Sequence, residues 1–336
     1  MGTVRVALLA SILALIVTVR PGTAQPAPAT WRVSAGAETP DHAIQLQDYF
    51  PRTITINAGD TVTWTKNTTL PHTVHFLSGA KSLRVALPQE DGKVLLNPLV
   101  WNPQGGQTYD GAGIAASGFL GEEKGLQYKL TFTKPGTYKY ECAIHPGMSG
   151  TVVVLGPGDK VPATQTEYDA AAAGQVAQSL DLGKRLLASG TPSVGKTARG
   201  TEYGIFLKGS SPARISLMRF GPRTITIKVG DTVRWETRDL FDPHTVTFAG
   251  SDVVPSWEIY VPQSQGPPKA YLNLKAAAPA GGSIHEGNGF YGSGRLAPLA
   301  APGPRSYSLT FTKPGTYTYW CAVHVPQGMQ GTVVVQ

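Results

Sequence analysis

Apolar and polar residues alternate with a period of two in several short stretches of this chain. One stretch, residues 53–56, ends at a turn containing Gly59 and Asp60, after which the alternation resumes in residues 61–64. Residues 128–133 and 138–142 form a second such pair around a Lys-Pro-Gly turn. Alternation interrupted by glycine-containing turns predicts short β-strands, each with one buried face. Further strands are predicted at residues 31–34 and 151–154.

The same order of strand signals recurs in the second half of the chain, at residues 224–227, 230–235 and 309–317. Each repeated unit is far longer than a solenoid repeat, so the pattern indicates duplicated domains. Short antiparallel strands at this spacing indicate an all-β fold of two tandem Greek-key β-sandwich domains. We expect these domains to span residues 31–155 and 201–336.

The linker between the repeats, residues 156–200, contains a segment rich in Ala, Leu and Gln. Val176, Leu180 and Leu187 fall at helical spacing in this segment, although Gly183 weakens the same face. The pattern predicts one amphipathic helix within residues 167–188, which could dock the two domains together. A flexible linker is the open alternative. Each domain also carries a long irregular insertion, residues 78–121 and 251–297, for which the sequence suggests no role.

The N-terminal residues are typical of an export signal. Arg5 precedes an apolar run at residues 6–19, and small residues then lead to a predicted cleavage site after Ala24. The run is shorter than the ~20 apolar residues that a transmembrane helix needs. We therefore expect residues 1–24 to be a signal peptide and the mature protein to be periplasmic or extracellular. Retention of the signal would instead associate the protein with a membrane.

The overall composition argues against two classes of partner. Charged residues make up 15% of the chain and the formal net charge is +7, without a run of Lys and Arg. Since such runs mark nucleic-acid and lipid binding, no nucleic-acid partner is expected. After the N-terminal run no segment is apolar enough to cross a bilayer, so no membrane span is expected after signal cleavage.

A repeated motif carries the candidate chemistry. Cys142 ends a predicted strand and is followed by His145 and Met148, and the second half repeats this order from Cys321. A Pro-His-Thr-Val string lies upstream of the motif in each half. Two histidines, one cysteine and a distant methionine form the ligand set of a blue-copper centre, whereas structural zinc sites favour more thiolates. The sequence therefore predicts two type 1 copper ions per chain, with the candidate ligands His72, Cys142, His145 and Met148 in the first half and His244, Cys321, His324 and Met329 in the second.

Strand alternation places Cys142 on the same face as Tyr140, which is the face expected to be buried. A disulfide between Cys142 and Cys321 would have to join equivalent strand ends of two repeats, and the flanking histidines and methionines favour a ligand role instead. We further hypothesise that Thr73 and Thr245 hydrogen-bond across to the ligand loops and support them. The alternative is that both threonines lie on the surface.

These motifs resemble the cupredoxin family of plastocyanin-, amicyanin- and auracyanin-like blue-copper proteins. The spacing Cys142-x2-His145-x2-Met148 is similar to that of amicyanin, and the longer spacing after Cys321 is similar to that of plastocyanin and pseudoazurin. The resemblance implies one copper in each half, electron exchange with redox partner proteins, and a position for His145 and His324 near an apolar surface through which electrons pass. Each half contains a complete ligand set, so the two sites are expected to be independent.

Two functions compete on this evidence. The first is an electron carrier without chemistry of its own. The second is a two-domain copper enzyme, resembling nitrite reductase or a laccase, with a further copper held by additional histidines. No histidine adjoins Cys142 or Cys321, and the non-ligand histidines His42, His75 and His285 are scattered. We expect these three to be polar residues at the surface, which favours the carrier.

Overall fold

The structure, a computed structural model, describes residues 27–189, 193–197, 200–210 and 214–336. The predicted signal peptide lies outside the described residues. Within the described part of the chain, no helix is both long enough and apolar enough to span a membrane.

The first half is built from short strands, and one long helix follows it. The predicted strands are confirmed, with bounds that differ by a few residues. The elements are β1 (Thr30–Glu38), β2 (Ile44–Phe50), β3 (Thr53–Asn57), β4 (Thr61–Lys66), β5 (His75–Phe76), β6 (Ala86–Pro88), β7 (Val94–Leu96), α1 (Pro98–Trp101), β8 (Thr108–Tyr109), β9 (Ala115–Ala116), β10 (Gln127–Phe132), β11 (Gly136–Glu141), β12 (Ser149–Leu155) and α2 (Gln165–Ala188).

The second half repeats this order with two additional strands, one at its start and one directly after its short helix. Its elements are β13 (Ser193–Thr197), β14 (Gly200–Ser210), β15 (Ile215–Gly221), β16 (Thr224–Ile227), β17 (Thr232–Arg238), β18 (Thr247–Phe248), β19 (Glu258–Val261), β20 (Lys269–Leu272), α3 (Leu274–Ala277), β21 (Pro279–Ala280), β22 (Ile284–His285), β23 (Tyr291–Ser293), β24 (Ser306–Phe311), β25 (Gly315–Trp320) and β26 (Gln330–Val335).

Each half buries an aromatic core between two layers of strands. In the first half, Trp64 on β4 meets Phe76 on β5 at a ring-centroid distance of 5.7 Å and Tyr140 on β11 at 5.3 Å. In the second half, Trp235 on β17 meets Tyr319 on β25 at 5.2 Å. Pairs of this kind join the two layers of each sandwich, so the all-β architecture of two tandem sandwiches is confirmed.

The two halves share one continuous sheet. Its strands lie in the order β22-β24-β17-β14-β15-β2-β1-β4-β10-β8, and the halves meet where β2 pairs antiparallel with β15. Every residue of β2 is buried, including its polar ones. The inter-strand hydrogen bonds at this junction therefore run through the interior of the molecule, where water does not compete for them.

The two insertions also join the halves. Strands β6 and β7 come from the first insertion, β19 and β20 from the second, and they form one four-stranded sheet in the order β19-β20-β7-β6. Leu95 pairs with Tyr271 at its centre. Leu95 stands two residues before Asn97, the N-cap of α1, and Tyr271 stands two residues before Asn273, the N-cap of α3. Equivalent residues therefore face each other, and the insertions form part of the interface between the halves.

Helix α2 covers the junction of the shared sheet. It begins in a capping box, in which Thr164 and Glu167 satisfy each other's backbone N–H groups. Its buried face packs with Ile44 on β2 and Ile215 on β15, so the predicted docking helix is confirmed. The face itself differs from the prediction, because Leu187 is exposed and Gly183 is buried.

Candidate metal sites

The first predicted site brings His72, Cys142 and His145 together. Their potential ligand atoms lie within 4.8 Å of one another, and all three residues are buried. The Cys142 Sγ is 3.9 Å from His72 Nδ1 and 3.5 Å from His145 Nδ1, and the two Nδ1 atoms are 3.1 Å apart. Both imidazoles thus turn the same ring nitrogen toward the thiol.

The second predicted site repeats this arrangement with His244, Cys321 and His324. The Cys321 Sγ is 3.8 Å from His244 Nδ1 and 3.4 Å from His324 Nδ1. These ligand atoms also lie within 4.8 Å of one another in a buried cluster. Both cysteines have free thiols, which agrees with the preference for a ligand role over a disulfide.

A backbone hydrogen bond closes each ligand loop and joins the methionine to the cysteine of the same half. In the first half the Cys142 N–H donates to the Met148 carbonyl at 2.9 Å, and the Met148 N–H donates to the His145 carbonyl at 3.1 Å. The second loop is longer, but Cys321 and Met329 make the same bond at 3.0 Å. Met148 and Met329 are both buried in the hydrophobic core that contains the cysteine of their half. Two loop lengths therefore produce the same closure.

The threonines after the upstream histidines support these loops. The Thr73 hydroxyl accepts a 2.8 Å hydrogen bond from the Ala143 N–H, and the Thr245 hydroxyl accepts one of 2.7 Å from the Ala322 N–H. The Thr73 N–H also lies 3.4 Å from the Cys142 Sγ. Both threonines are fully buried, so the hypothesis that they hydrogen-bond across to the ligand loops is confirmed and the surface alternative is wrong.

The ionisable groups in and around the first site shift one another's pKa values. Burial alone would raise the pKa of Cys142, but the adjacent His145 lowers it. Burial alone would lower the pKa of His145, but the Cys142 thiolate and the carboxylate of Asp242 raise it to about 10. Burial lowers the pKa of His72 well below its usual value, and the nearby His145 adds to this effect. The lowered pKa of Cys142 favours release of the thiol proton, which binding of a metal by the sulfur requires.

The pKa of the cysteine is lowered in the second site as well. Burial alone would raise the pKa of Cys321, but His324 and His244 lower it well below its usual value. Burial likewise opposes protonation of His244, yet Asp239 and Cys321 raise its pKa to about 10. The shift at Cys321 therefore also favours loss of the thiol proton.

Both loop histidines are buried. His145 is 4% exposed and His324 is 1% exposed, so neither lies at an outer surface. The reason is the packing of the halves, since the second half contributes Asp242 beside His145. The second half of the chain thus covers part of the His145 ring.

Two carboxylates near the sites were missed by sequence reasoning. Asp242 Oδ1 lies 3.4 Å from His145 Nε2, and Asp239 Oδ2 lies 3.3 Å from His244 Nε2. The one available signal was local: Asp242 precedes the second Pro-His-Thr-Val string, where the first half has Leu70. That signal does not reveal that Asp242 reaches the site of the other half.

The expectation that the other histidines lie at the surface is wrong for two of them. His75 is fully buried, with Nδ1 3.0 Å from the Thr73 hydroxyl and Nε2 3.1 Å from the Leu99 carbonyl. His285 is 3% exposed and packs among aromatic rings, including Tyr317 at a centroid distance of 4.4 Å. Their packing partners come from neighbouring strands and loops, which alternation within one strand does not predict.

The chain is similar to several known proteins. Amicyanin of Paracoccus denitrificans is 32% identical over 124 residues, which cover 36% of this chain and 71% of that protein. Plastocyanin of Scenedesmus fuscus is 35% identical over 117 residues, or 35% of this chain and 86% of its own length. A solved structure of an oxidised amicyanin variant, at 25% identity and a TM-score of 0.23, covers 38% of this chain and 82% of its own.

The family match extends over both halves. Residues 40–155 and 208–336 each match the family described as copper binding proteins, plastocyanin/azurin family. These two regions make up more than half of the chain and include both His-Cys-His clusters. The chain therefore belongs to the copper-binding plastocyanin/azurin family.

Proposed function

We propose that this chain is an exported type 1 copper protein that transfers electrons, with one copper site in each of two domains, residues 31–155 and 201–336. The observation that carries the proposal is the pair of buried His-Cys-His clusters with converging Nδ1 and Sγ atoms. Met148 and Met329, whose backbones are hydrogen-bonded to those of their cysteines, would complete the ligand sets as weak sulfur donors. The proposed ligands are His72, Cys142, His145 and Met148, and His244, Cys321, His324 and Met329.

The residues at each site fit copper rather than a harder metal. A thiolate and two imidazoles offer soft and intermediate donors, which serve both oxidation states of copper. Copper bound in this way supplies a single electron by cycling between Cu(I) and Cu(II). The protein contributes a fixed frame, because Thr73 and Thr245 hold the ligand loops against the upstream histidines. Burial of the clusters keeps bulk water away from the donors.

Redox partner proteins would deliver and remove the electrons, and no nucleic acid is expected to bind. The N-terminal signal features support export to the periplasm or the extracellular space. Export is tested by sequencing the N-terminus of the native protein, which should begin at Gln25 or within a few residues of it. An intact Met1 on a cytosolic protein would contradict export without affecting the proposal of copper binding.

The alternative is a two-domain copper enzyme of the nitrite reductase or laccase type with a further copper. The contacts of the remaining histidines support the carrier instead. Both ring nitrogens of His75 already face protein oxygen atoms. The Nδ1 atom of His285 accepts a 3.2 Å hydrogen bond from the Gly287 N–H, and its ring lies among aromatic side chains. Neither imidazole is oriented toward a second group of ligands.

The test is a count of copper per chain combined with visible and paramagnetic resonance spectra. We expect two copper ions per chain, an intense thiolate-to-copper band, and resonance signals with small hyperfine splitting. Failure to bind copper at the two clusters would refute the proposal. A further signal with large hyperfine splitting that tracks with nitrite reduction or phenol oxidation would favour the enzyme.

A further inference from the structure

The outer nitrogen of a predicted ligand in the first half faces a carboxylate of the second half. Asp242 Oδ1 lies 3.4 Å from His145 Nε2, on the side of the ring opposite the Nδ1 atom that faces Cys142. Asp242 is 2% exposed and His145 is 4% exposed, so the contact is shielded from solvent. The imidazole is thus held between its own thiol and the other half of the chain.

Asp242 is itself held in place by strand β2 at the junction of the halves. The Gln47 Nε2 donates a short hydrogen bond to Asp242 Oδ2 and a second, of 3.2 Å, to the Ser216 hydroxyl. The Ser216 hydroxyl in turn donates to Asp239 Oδ1 at 3.1 Å. A buried carboxylate costs several kcal/mol unless it is partnered. These contacts therefore explain both the presence of Asp242 in the interface and its orientation.

The arrangement is not repeated on the other side of the interface. Leu70 precedes the first Pro-His-Thr-Val string as Asp242 precedes the second, and it also crosses the interface. It packs in the hydrophobic cluster that contains Cys321 and Met329. The second site instead has Asp239, from its own half, at the outer nitrogen of His244. Of these two equivalent positions, only Asp242 brings a charge to the site of the other half.

We propose that Asp242 is a positioning residue of the first metal site, so that the second half of the chain completes the site of the first. This inference rests on the proposed function. A carboxylate at the outer nitrogen of a ligand histidine fixes the ring orientation, keeps the proton on that nitrogen, and makes the inner nitrogen a stronger donor. A negative charge in a dry interface also favours the more positive oxidation state of a metal held by that ring.

The test isolates the first site and then removes the charge. In the full chain carrying Cys321→Ser, Asp242→Asn should weaken metal binding at the first site by about 10- to 100-fold, the usual effect of losing such a partner. Affinity is measured by chelator competition with cobalt(II), whose visible bands report thiolate and imidazole ligation, and with copper. At a fixed solution potential the oxidised-to-reduced ratio should fall about tenfold, which corresponds to ~59 mV for one electron.

Matched variants separate positioning from a general loss of charge or stability. Asp252→Asn removes an exposed carboxylate of the same half, whose side chain is 54% exposed, and should leave both quantities unchanged. Gln47→Leu keeps the charge but removes its hydrogen-bond donor, and should shift both quantities in the same direction by less. In a Cys142→Ser chain, Asp242→Asn should change the affinity of the second site less than that of the first.

The outcomes distinguish the positioning role of Asp242 from the proposed electron-transfer function. An unchanged affinity and ratio in a folded Asp242→Asn chain, or equal changes at both sites, would overturn the positioning role. If Asp242→Asn does not fold, Gln47→Leu decides, and no shift there would also overturn it. If the chain binds copper without a type 1 spectrum but cobalt affinity still depends on Asp242, the electron-transfer proposal fails while the positioning role stands.

Discussion

Gln45 on β2 pairs with Ser216 on β15, and these two residues hold the same position in the two halves. On either side of the pair, Ile44 faces Leu217 and Leu46 faces Ile215. A strand that pairs in this way with its own equivalent places a local two-fold axis at the central pair, as in an isologous dimer. The Leu95–Tyr271 pair of the insertions obeys the same relation.

The single chain allows the two sides of this interface to differ. In a symmetric dimer, one residue type would have to serve at both equivalent positions. Here Leu70 and Asp242 occupy them, so one side receives an apolar side chain and the other a carboxylate. The duplicated chain thus retains the pairing of a dimer while giving its two metal sites different surroundings.

Each cysteine should account for its own share of the colour. Cys142→Ser removes the thiolate of the first cluster and leaves the donors of the second in place. We therefore expect it to abolish about half of the visible thiolate-to-copper absorbance, and Cys321→Ser to abolish the other half. Spectra at known copper content measure both shares. Loss of the whole band in either single variant would mean that the two sites share ligands or fold only together.

The Thr73 hydroxyl should be necessary for the first ligand loop. Thr73→Val preserves the shape but leaves the Ala143 N–H without its acceptor, which costs about 1–3 kcal/mol when such a group is buried. Denaturant unfolding should show this loss, and the first site's share of the blue band should shift or broaden. Thr73→Ser retains the hydroxyl and should behave like the parent. Equal effects of Val and Ser would point to packing rather than to the hydrogen bond.

The buried His285 should make the second half sensitive to acid. Burial lowers the pKa of this imidazole to about 4, whereas the unfolded chain has an ordinary histidine with a pKa of about 6.5. Between these values the unfolded state binds more protons. The contribution of neutral His285 to the free energy of unfolding is therefore complete above about pH 6.5. It is lost as the pH falls toward 4, by at most about 1.4 kcal/mol per pH unit.

The matched substitution for this test is His285→Tyr. Tyr109 holds the equivalent position, since it pairs with Phe132 as His285 pairs with Phe311. Free energies of unfolding measured from pH 7 to pH 4 should fall less steeply in the variant than in the parent chain. Identical slopes in the two chains would show that His285 does not carry this part of the acid sensitivity.

The sequence predicted the ligand clusters and the regularly alternating strands, such as β3, β4, β10 and β11, because those signals are local. A ligand loop is a spacing within a few residues, and alternation reports the two faces of a single strand. Strand β2 was missed because its burial depends on contacts that are distant in sequence. Its polar residues, such as Gln45 and Gln47, suggest a solvent-facing side, yet they are buried because that side meets the other half. The outer partner of His145 was missed because it lies across the same interface.

Replacing either of two glycines of helix α2 by alanine should change the stability of the chain, in opposite directions at the two positions. A methyl group on Gly174 meets nothing within 4 Å, so Gly174→Ala should stabilise the helix by about 0.5–1 kcal/mol. A methyl group on Gly183 would come within 2.5 Å of Ile44 Cγ2, a branched atom of buried strand β2 that cannot rotate away freely. The same gain in helix propensity would then be outweighed by overpacking, which costs about 1–3 kcal/mol.

Gly183→Ala should therefore lower the free energy of unfolding, and because Ile44 lies beside the Gln45–Ser216 junction, it should also loosen the contact between the halves. Amide hydrogen exchange of β2 and β15 should speed up in Gly183→Ala and stay at the parental rate in Gly174→Ala. If both substitutions stabilise the chain, the close approach of α2 to the junction is not required, and the helix acts only as a tether.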